Sequence, residues 1–175
     1  MEYAITLYFD EKTEEIINSL IKKIANKTGN KYMVDNKIPP HITISLFHYD
    51  GKIDTVMEII ENNISLFNRK NIVIASIGIF NPSVLFIAPV INDYLIELNR
   101  KVNEIININD EILLDKNYIK NQWIPHISLG VKLNEKELIN GVKTLVENFK
   151  ILDIGIDRVG FAKCNPYKDI KIWKI

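Results

Sequence analysis

The feature that most constrains this chain is a five-residue pattern that occurs twice. Pro40-His41-Ile42-Thr43-Ile44 and Pro125-His126-Ile127-Ser128-Leu129 share the order proline, histidine, isoleucine, hydroxyl residue, aliphatic residue. Their histidines stand 85 positions apart (126 − 41), close to half of the 175 residues. Successive side chains on a strand point to opposite faces. His41 and Thr43 therefore share one face, and Ile42, Ile44 and Leu46 the other. His126 and Ser128 likewise oppose Ile127, Leu129 and Val131. The aliphatic face anchors each strand in a core, which leaves the polar face to line a cleft. Each proline sits at the mouth of its strand, where its missing N–H costs least.

The surroundings of the two segments repeat as well. Tyr3–Phe9 reads as strand; Asp10 then caps a helix striped by Ile16, Ile17, Leu20, Ile21 and Ile24. After the first histidine strand, Asp54 is the expected cap of a helix carrying Val56, Ile59, Ile60, Ile64 and Phe67, and 72–80 reads as strand. The second half runs in the same order. Its elements are a strand over 84–90, a helix capped by Asn92 or Asp93, the second histidine strand, a helix opened by Asn134 with Glu137 as a capping box, and strands over 151–161 and 169–173. Gly78 and Gly160 are 82 apart, and the turns Asn81-Pro82 and Asn165-Pro166 start 84 apart. The pattern predicts one domain of two similar lobes, with repeat halves near 1–82 and 83–175. The stripe of the last helix is Leu138, Val142, Leu145, Val146 and Phe149.

Composition narrows the function. Lys plus Arg and Asp plus Glu both number 22, so the net charge is zero. A protein that coats long nucleic acid usually carries a basic excess, so DNA is not an expected partner. Balanced charge is compatible with a small phosphate pocket. The single Cys164 has no internal disulfide partner, and none of the three histidines has metal-ligand spacing to another histidine or to Cys164. The apolar run near 84–91 is too short to span a bilayer, and the start lacks a signal-peptide pattern. A soluble cytoplasmic protein, with a monomer as the favoured state, is the expectation.

Two facing histidines and two hydroxyls suit transfer at a phosphodiester. The attacking oxygen must lose a proton and the leaving oxygen must gain one. A neutral imidazole and an imidazolium do both near neutral pH, because free histidine titrates near ~6.5. Thr43 and Ser128 can donate charge-assisted hydrogen bonds to the phosphate oxygens. No metal or other cofactor is required by this design.

These residues resemble the 2H phosphoesterases, which include 2′-5′ RNA ligase-like proteins and cyclic phosphodiesterases. The resemblance rests on His41-Ile42-Thr43, His126-Ile127-Ser128 and the closing stretch Tyr167–Ile175, YKDIKIWKI. It implies a bilobal α+β fold with a pseudo-twofold axis, two antiparallel sheets, outer helices and a central cleft. It also implies an enzyme acting without metal on RNA ends or small nucleotides, for example opening a terminal 2′,3′-cyclic phosphate or acting on a 2′-5′ linkage. His41 and His126 are then acid and base in an order left open, and Thr43 and Ser128 hold the phosphate. Ser128 stands where threonine is the commoner family residue.

Four further positions are candidate substrate contacts, each with a plainer reading beside it. Ser45 either touches ligand or packs within the strand. Trp123 and Tyr167 either stack on a base or belong to the core. Arg158 is either a cleft cation or a strand residue held by its neighbours. His48, just past its strand and without a counterpart in the second half, reads as a loop histidine. The alternative functions are a non-catalytic module that binds a nucleotide or RNA end, and reversible ligation of RNA ends.

Overall fold

The computed structural model describes residues 1–80 and 82–175; Asn81, and with it the first expected Asn-Pro turn, lies outside the described residues. In chain order the elements are β1 (Glu2–Phe9), α1 (Glu11–Thr28), α2 (Tyr32–Asp35), β2 (Ile42–His48), α3 (Ile53–Asn62), β3 (Lys70–Phe80), β4 (Val84–Pro89), α4 (Asp93–Ile106), β5 (Leu113–Leu114), β6 (Ile127–Gly130), α5 (Glu135–Asn148), β7 (Leu152–Lys163) and β8 (Lys168–Lys174).

Local chemistry sets most of the helix limits. The Asp10 carboxylate accepts from the Thr13 N–H at 2.8 Å and starts α1, and Gly29, at φ 81°, ends it with its N–H on the Ala25 carbonyl. Asn92 caps α4 through the Leu95 N–H, and Asn134 and Glu137 form the expected capping box on α5. Asp54 is not a cap. Helix α3 begins at Ile53 after Lys52, with no side-chain cap, and Asp54 lies in the first turn, where its charge still complements the helix dipole. Two stripe positions also differ: Ile16 is 38% exposed and Val146 72% exposed, because each sits at the edge of a face whose centre (Ile17, Ile21, Leu145) fills the core.

The sheet is open and antiparallel, ordered β5-β2-β1-β7-β3-β4-β6, with β8 paired to β7. Apart from the edge strand β5, this order is palindromic: exchanging β1 with β4, β2 with β6 and β7 with β3 returns it unchanged. The pseudo-twofold axis therefore lies between β3 and β7, where Ile72 faces Ile154. Pairing of Lys70–Ile74 with Leu152–Ile156 joins the two expected sheets into one ladder. Each sheet takes its third strand from the other half of the sequence, since β1 pairs with β7 and β4 with β3. Helices cross over in the same way: α1 packs on β6 and α5, and α4 packs on β2.

The core under this layer is mainly aliphatic, including Ile5, Leu7, Ile17, Ile42, Ile44, Ile60, Ile74, Ile87, Leu95, Ile127, Leu145 and Ile156, with Phe9, Phe47 and Phe161 among them. Full burial of each such side chain is worth about 1.5–3 kcal/mol. Among the described residues no helix is long and apolar enough to cross a membrane. The α+β architecture expected from the sequence is the one observed.

Candidate active site

The two histidine segments open β2 and β6, strands related by the pseudo-axis. Each strand carries a bulge at the same position of the pattern. On β2, Thr6 faces Thr43 and Ile5 faces Ser45, which leaves Ile44 unpaired. On β6, Phe86 faces Ser128 and Leu85 faces Gly130, which leaves Leu129 unpaired. A bulge bends its strand and re-aims the side chains beyond it. His41, Thr43, His126 and Ser128 remain half-buried, while Ile42, Ile44, Ile127 and Leu129 are buried.

The bulge also corrects the expectation for Ser45. Without the extra residue Ser45 would share the face of Thr43. With it, Ser45 is fully buried, and its hydroxyl donates to Asn103 Oδ1 on α4 at 2.7 Å. Ser45 ties β2 to the helix behind it and does not reach the cleft.

Both imidazoles are held in the same way. Nδ1 of His41 lies 2.7 Å from the Pro39 carbonyl, and Nδ1 of His126 lies 2.8 Å from the Ile124 carbonyl, each two residues upstream. A carbonyl only accepts, so Nδ1 carries the hydrogen and Nε2 is left to gain or lose a proton. Burial lowers the pKa of both rings. For His41 the Pro39 carbonyl works the other way, the charge of His126 lowers the pKa further, and the Asp169 carboxylate raises it. For His126 the Ile124 carbonyl opposes burial.

The aromatic residues around the rings are not symmetric. His41 stacks on Tyr167 (ring centroids 5.2 Å, 28° between planes) and meets Tyr8 edge-on at 6.3 Å. The Tyr8 hydroxyl lies 2.5 Å from the Tyr167 hydroxyl and donates to Asp169 Oδ1. His126 instead meets Phe80 edge-on at 4.7 Å and Phe86 at 5.3 Å. Beside His126 and Ser128 lies a cavity of about 550 Å³, lined also by Phe80, Asn117, Tyr118, Gln122 and Trp123. Burial first, opposed by the Thr43 side chain, pushes the Tyr118 hydroxyl up to about 12.

Trp123 links the two motifs. It stands three residues before His126, and its indole N–H donates to the Thr43 carbonyl at 3.0 Å. It is 9% exposed and also lines the cavity. The loop that carries it is pinned by Asn99 and Asn103, whose amides both donate to the Tyr118 carbonyl at 2.8 Å. The Tyr167 ring is stacked on His41 of the first motif. Arg158 is not a free cleft cation. It donates to the Phe9 carbonyl, pairs with Glu14 at 2.7 Å and Asp157 at 3.1 Å, and lies over the Tyr8 ring. His48 is exposed, 3.7 Å from the Glu2 carboxylate. Among the described residues no group of three or more His, Cys, Asp or Glu converges as a metal site would require.

Five site residues went unmarked in the sequence reading: Tyr8, Phe80, Phe86, Tyr118 and Asp169. A signal for two of them was present in the matched glycines. A Cβ on Gly78 would lie 2.2 Å from the Phe86 ring, and one on Gly160 would lie 2.3 Å from the Tyr8 ring. Each glycine makes room for the aromatic ring that flanks one of the histidines.

No family model matches this sequence, and no curated protein matches it. Similarity appears in three dimensions. A crystal structure of a phosphoesterase superposes with a TM-score of 0.58 at 13% identity, covering 99% of this chain and 98% of that one. Usb1 of Kluyveromyces marxianus superposes at 0.53 with 12% identity, covering 97% of both chains. The same Usb1 with uridine monophosphate superposes at 0.50 with 11% identity, covering 97% of this chain and 96% of that one. The chain shares its fold, over nearly its whole length, with these phosphoesterase and Usb1 structures.

Proposed function

We propose that the chain is a metal-independent phosphodiester hydrolase or transferase, one domain built from repeats 1–82 and 83–175, acting on a nucleotide or an RNA end. The observation that carries this reading is the duplicated histidine geometry. Two imidazoles, each with Nδ1 committed to a carbonyl and Nε2 left to exchange a proton, are each followed two residues on by a half-buried hydroxyl, Thr43 or Ser128, on strands related by a pseudo-axis. One neutral ring takes the proton of the attacking water or hydroxyl as its oxygen bonds to phosphorus. The other ring, charged, protonates the oxygen whose bond to phosphorus breaks. Each transfer is worth about 10²–10⁴-fold. The two hydroxyls donate to the non-bridging oxygens. With a 2′,3′-cyclic phosphate and water, the product is a phosphomonoester with one free ribose hydroxyl.

The cavity beside His126 supports a nucleoside as the group attached to that phosphate. Its walls combine aromatic surface (Phe80, Tyr118, Trp123) with amide side chains (Asn117, Gln122). Such pockets grip a base by stacking and by hydrogen bonds along its edge. Uridine monophosphate bound to a protein of the same fold supports the same substrate class.

The test is hydrolysis of 2′,3′-cyclic nucleotides and cyclic-phosphate-ended oligonucleotides with EDTA present. Turnover that survives EDTA and is lost in both His41→Ala and His126→Ala is expected. Turnover unchanged by either substitution overturns the reading. Tight binding without product identifies a binding module, and joined products from cyclic-phosphate and 5′-hydroxyl ends identify a ligase.

A further inference from the structure

The two histidines have matched backbones and unmatched surroundings, and the mismatch traces to one strand. Strand β8 pairs with β7 along Arg158–Lys163 and has no counterpart in the palindromic part of the sheet. With the turn before it, β8 brings Tyr167 and Asp169 to His41. His126 is flanked by Phe80 and Phe86, whose rings offer no hydrogen-bonding group.

We propose that Asp169, acting through the Tyr8 and Tyr167 hydroxyls, is the positioning residue of the His41 ring. Tyr167 supplies the surface on which the imidazole lies. Its own orientation is fixed by the 2.5 Å contact with the Tyr8 hydroxyl, and Tyr8 is fixed in turn by donating to Asp169. Burial raises the pKa of both phenols, so they stay neutral and hydrogen-bonding across the working pH range. Behind Tyr8, Arg158 is neutralised by Glu14 and Asp157.

The charged or titratable groups around His41 are therefore Tyr8 from β1, Tyr167 from the turn, Asp169 from β8, Arg158 with its two carboxylates behind Tyr8, and His126 across the cleft. Of these, the Asp169 charge favours the imidazolium of His41 and the His126 charge disfavours it. This inference rests on the phosphodiester reading for its consequence in catalysis, and not for the effect on the ring itself.

The experiment is an NMR titration of both histidines in the full chain, wild type against Asp169→Asn, with Tyr8→Phe as the second variant should the first fail to fold. It needs no substrate, so it is independent of whether the protein turns over a phosphodiester. The expected result is a His41 midpoint moved to lower pH in the variant, by more than any movement of the His126 midpoint. Where the wild type turns over a cyclic nucleotide, the limb of kcat/KM that reports on His41 moves to lower pH with it. The accompanying loss is on the order of threefold to tenfold, the scale of one positioning hydrogen bond. A purely structural role for Asp169 leaves the His41 midpoint in place. That outcome, or equal movement of both histidines, overturns the proposal.

Discussion

Replacing Gly78 by alanine tests whether the aromatic flank of His126 is a working part of the site. Gly78 faces Phe86 across the β3–β4 pair, and an added Cβ would lie 2.2 Å from the ring's Cζ. Ordinary contact begins near 3.4 Å, so the ring must withdraw by about 1.2 Å. The far end of the Phe86 ring can move, but it packs against His126, with Phe80 4.3 Å away centroid to centroid. Overpacking costs about 1–3 kcal/mol, and the lost freedom of the unfolded chain returns about 0.4–1 kcal/mol. A net destabilisation of about 0–2.6 kcal/mol is expected from denaturant midpoints at constant m. The effect on activity is larger in proportion, because a misplacement of about 1 Å can cost roughly 10²-fold in rate. Gly29→Ala is the control. Nothing lies within 4 Å of that Cβ, and the cost there comes from φ 81° at the end of α1, away from both histidines. It is expected to lose about 1 kcal/mol of stability and to keep its kcat/KM. If Gly78→Ala loses no more activity than Gly29→Ala, Phe86 does not position His126 and the reasoning fails.

Stability near pH 6 reports on the same two rings. Both are held below 6.5 when folded, so over the interval between their folded values and 6.5 the unfolded chain binds more protons and stability rises with pH. The contribution is fully present above 6.5 and is lost as pH falls through the folded values; the double variant His41→Ala with His126→Ala is expected to flatten the slope of unfolding free energy against pH there. Asp10 has the ordinary carboxylate sign: burial raises its pKa, the Thr13 backbone and side-chain bonds lower it, and the net is below 3.8. Asp10→Ala is expected to cost about 0.5–2 kcal/mol at neutral pH, and the difference from wild type is expected to shrink in acid, as equilibrium unfolding will show. Trp123→Phe leaves the Thr43 carbonyl without its indole donor, and a loss of about 1–3 kcal/mol is expected. Hydrogen exchange should show the segment 116–126 opening first, and an unchanged protection pattern would count against Trp123 as the link between the motifs.

The strands, the helices and the two motif faces were legible because each rests on local periodicity or a local cap, as with Asp10, Asn92 and the Asn134–Glu137 box. What the sequence hid is non-local. The bulges at Ile44 and Leu129 arise from register against β1 and β4, and the one at Ile44 turns Ser45 inward. Exchange of β3 and β7 between sheets leaves no mark on either strand's own pattern. Arg158 looked available because its partners Phe9 and Glu14 are almost 150 residues away along the chain. Tyr8 read as one more apolar strand residue, and its link to Tyr167 and Asp169 forms only when β1 and β8 flank β7. The two-residue strand β5 is too short for any pattern. Gly78 and Gly160 served as markers of the repeat, while their physical use, space for a ring beside each histidine, needed the sheet.

The most direct test of the account is a crystal structure with uridine monophosphate or a non-hydrolysable cyclic nucleotide analogue bound. The expected result is one phosphate within hydrogen-bond distance of Nε2 of both His41 and His126 and of the hydroxyls of Thr43 and Ser128, with the base in the cavity lined by Tyr118 and Trp123. A phosphate that touches one motif only, or a nucleotide seated away from both, contradicts it.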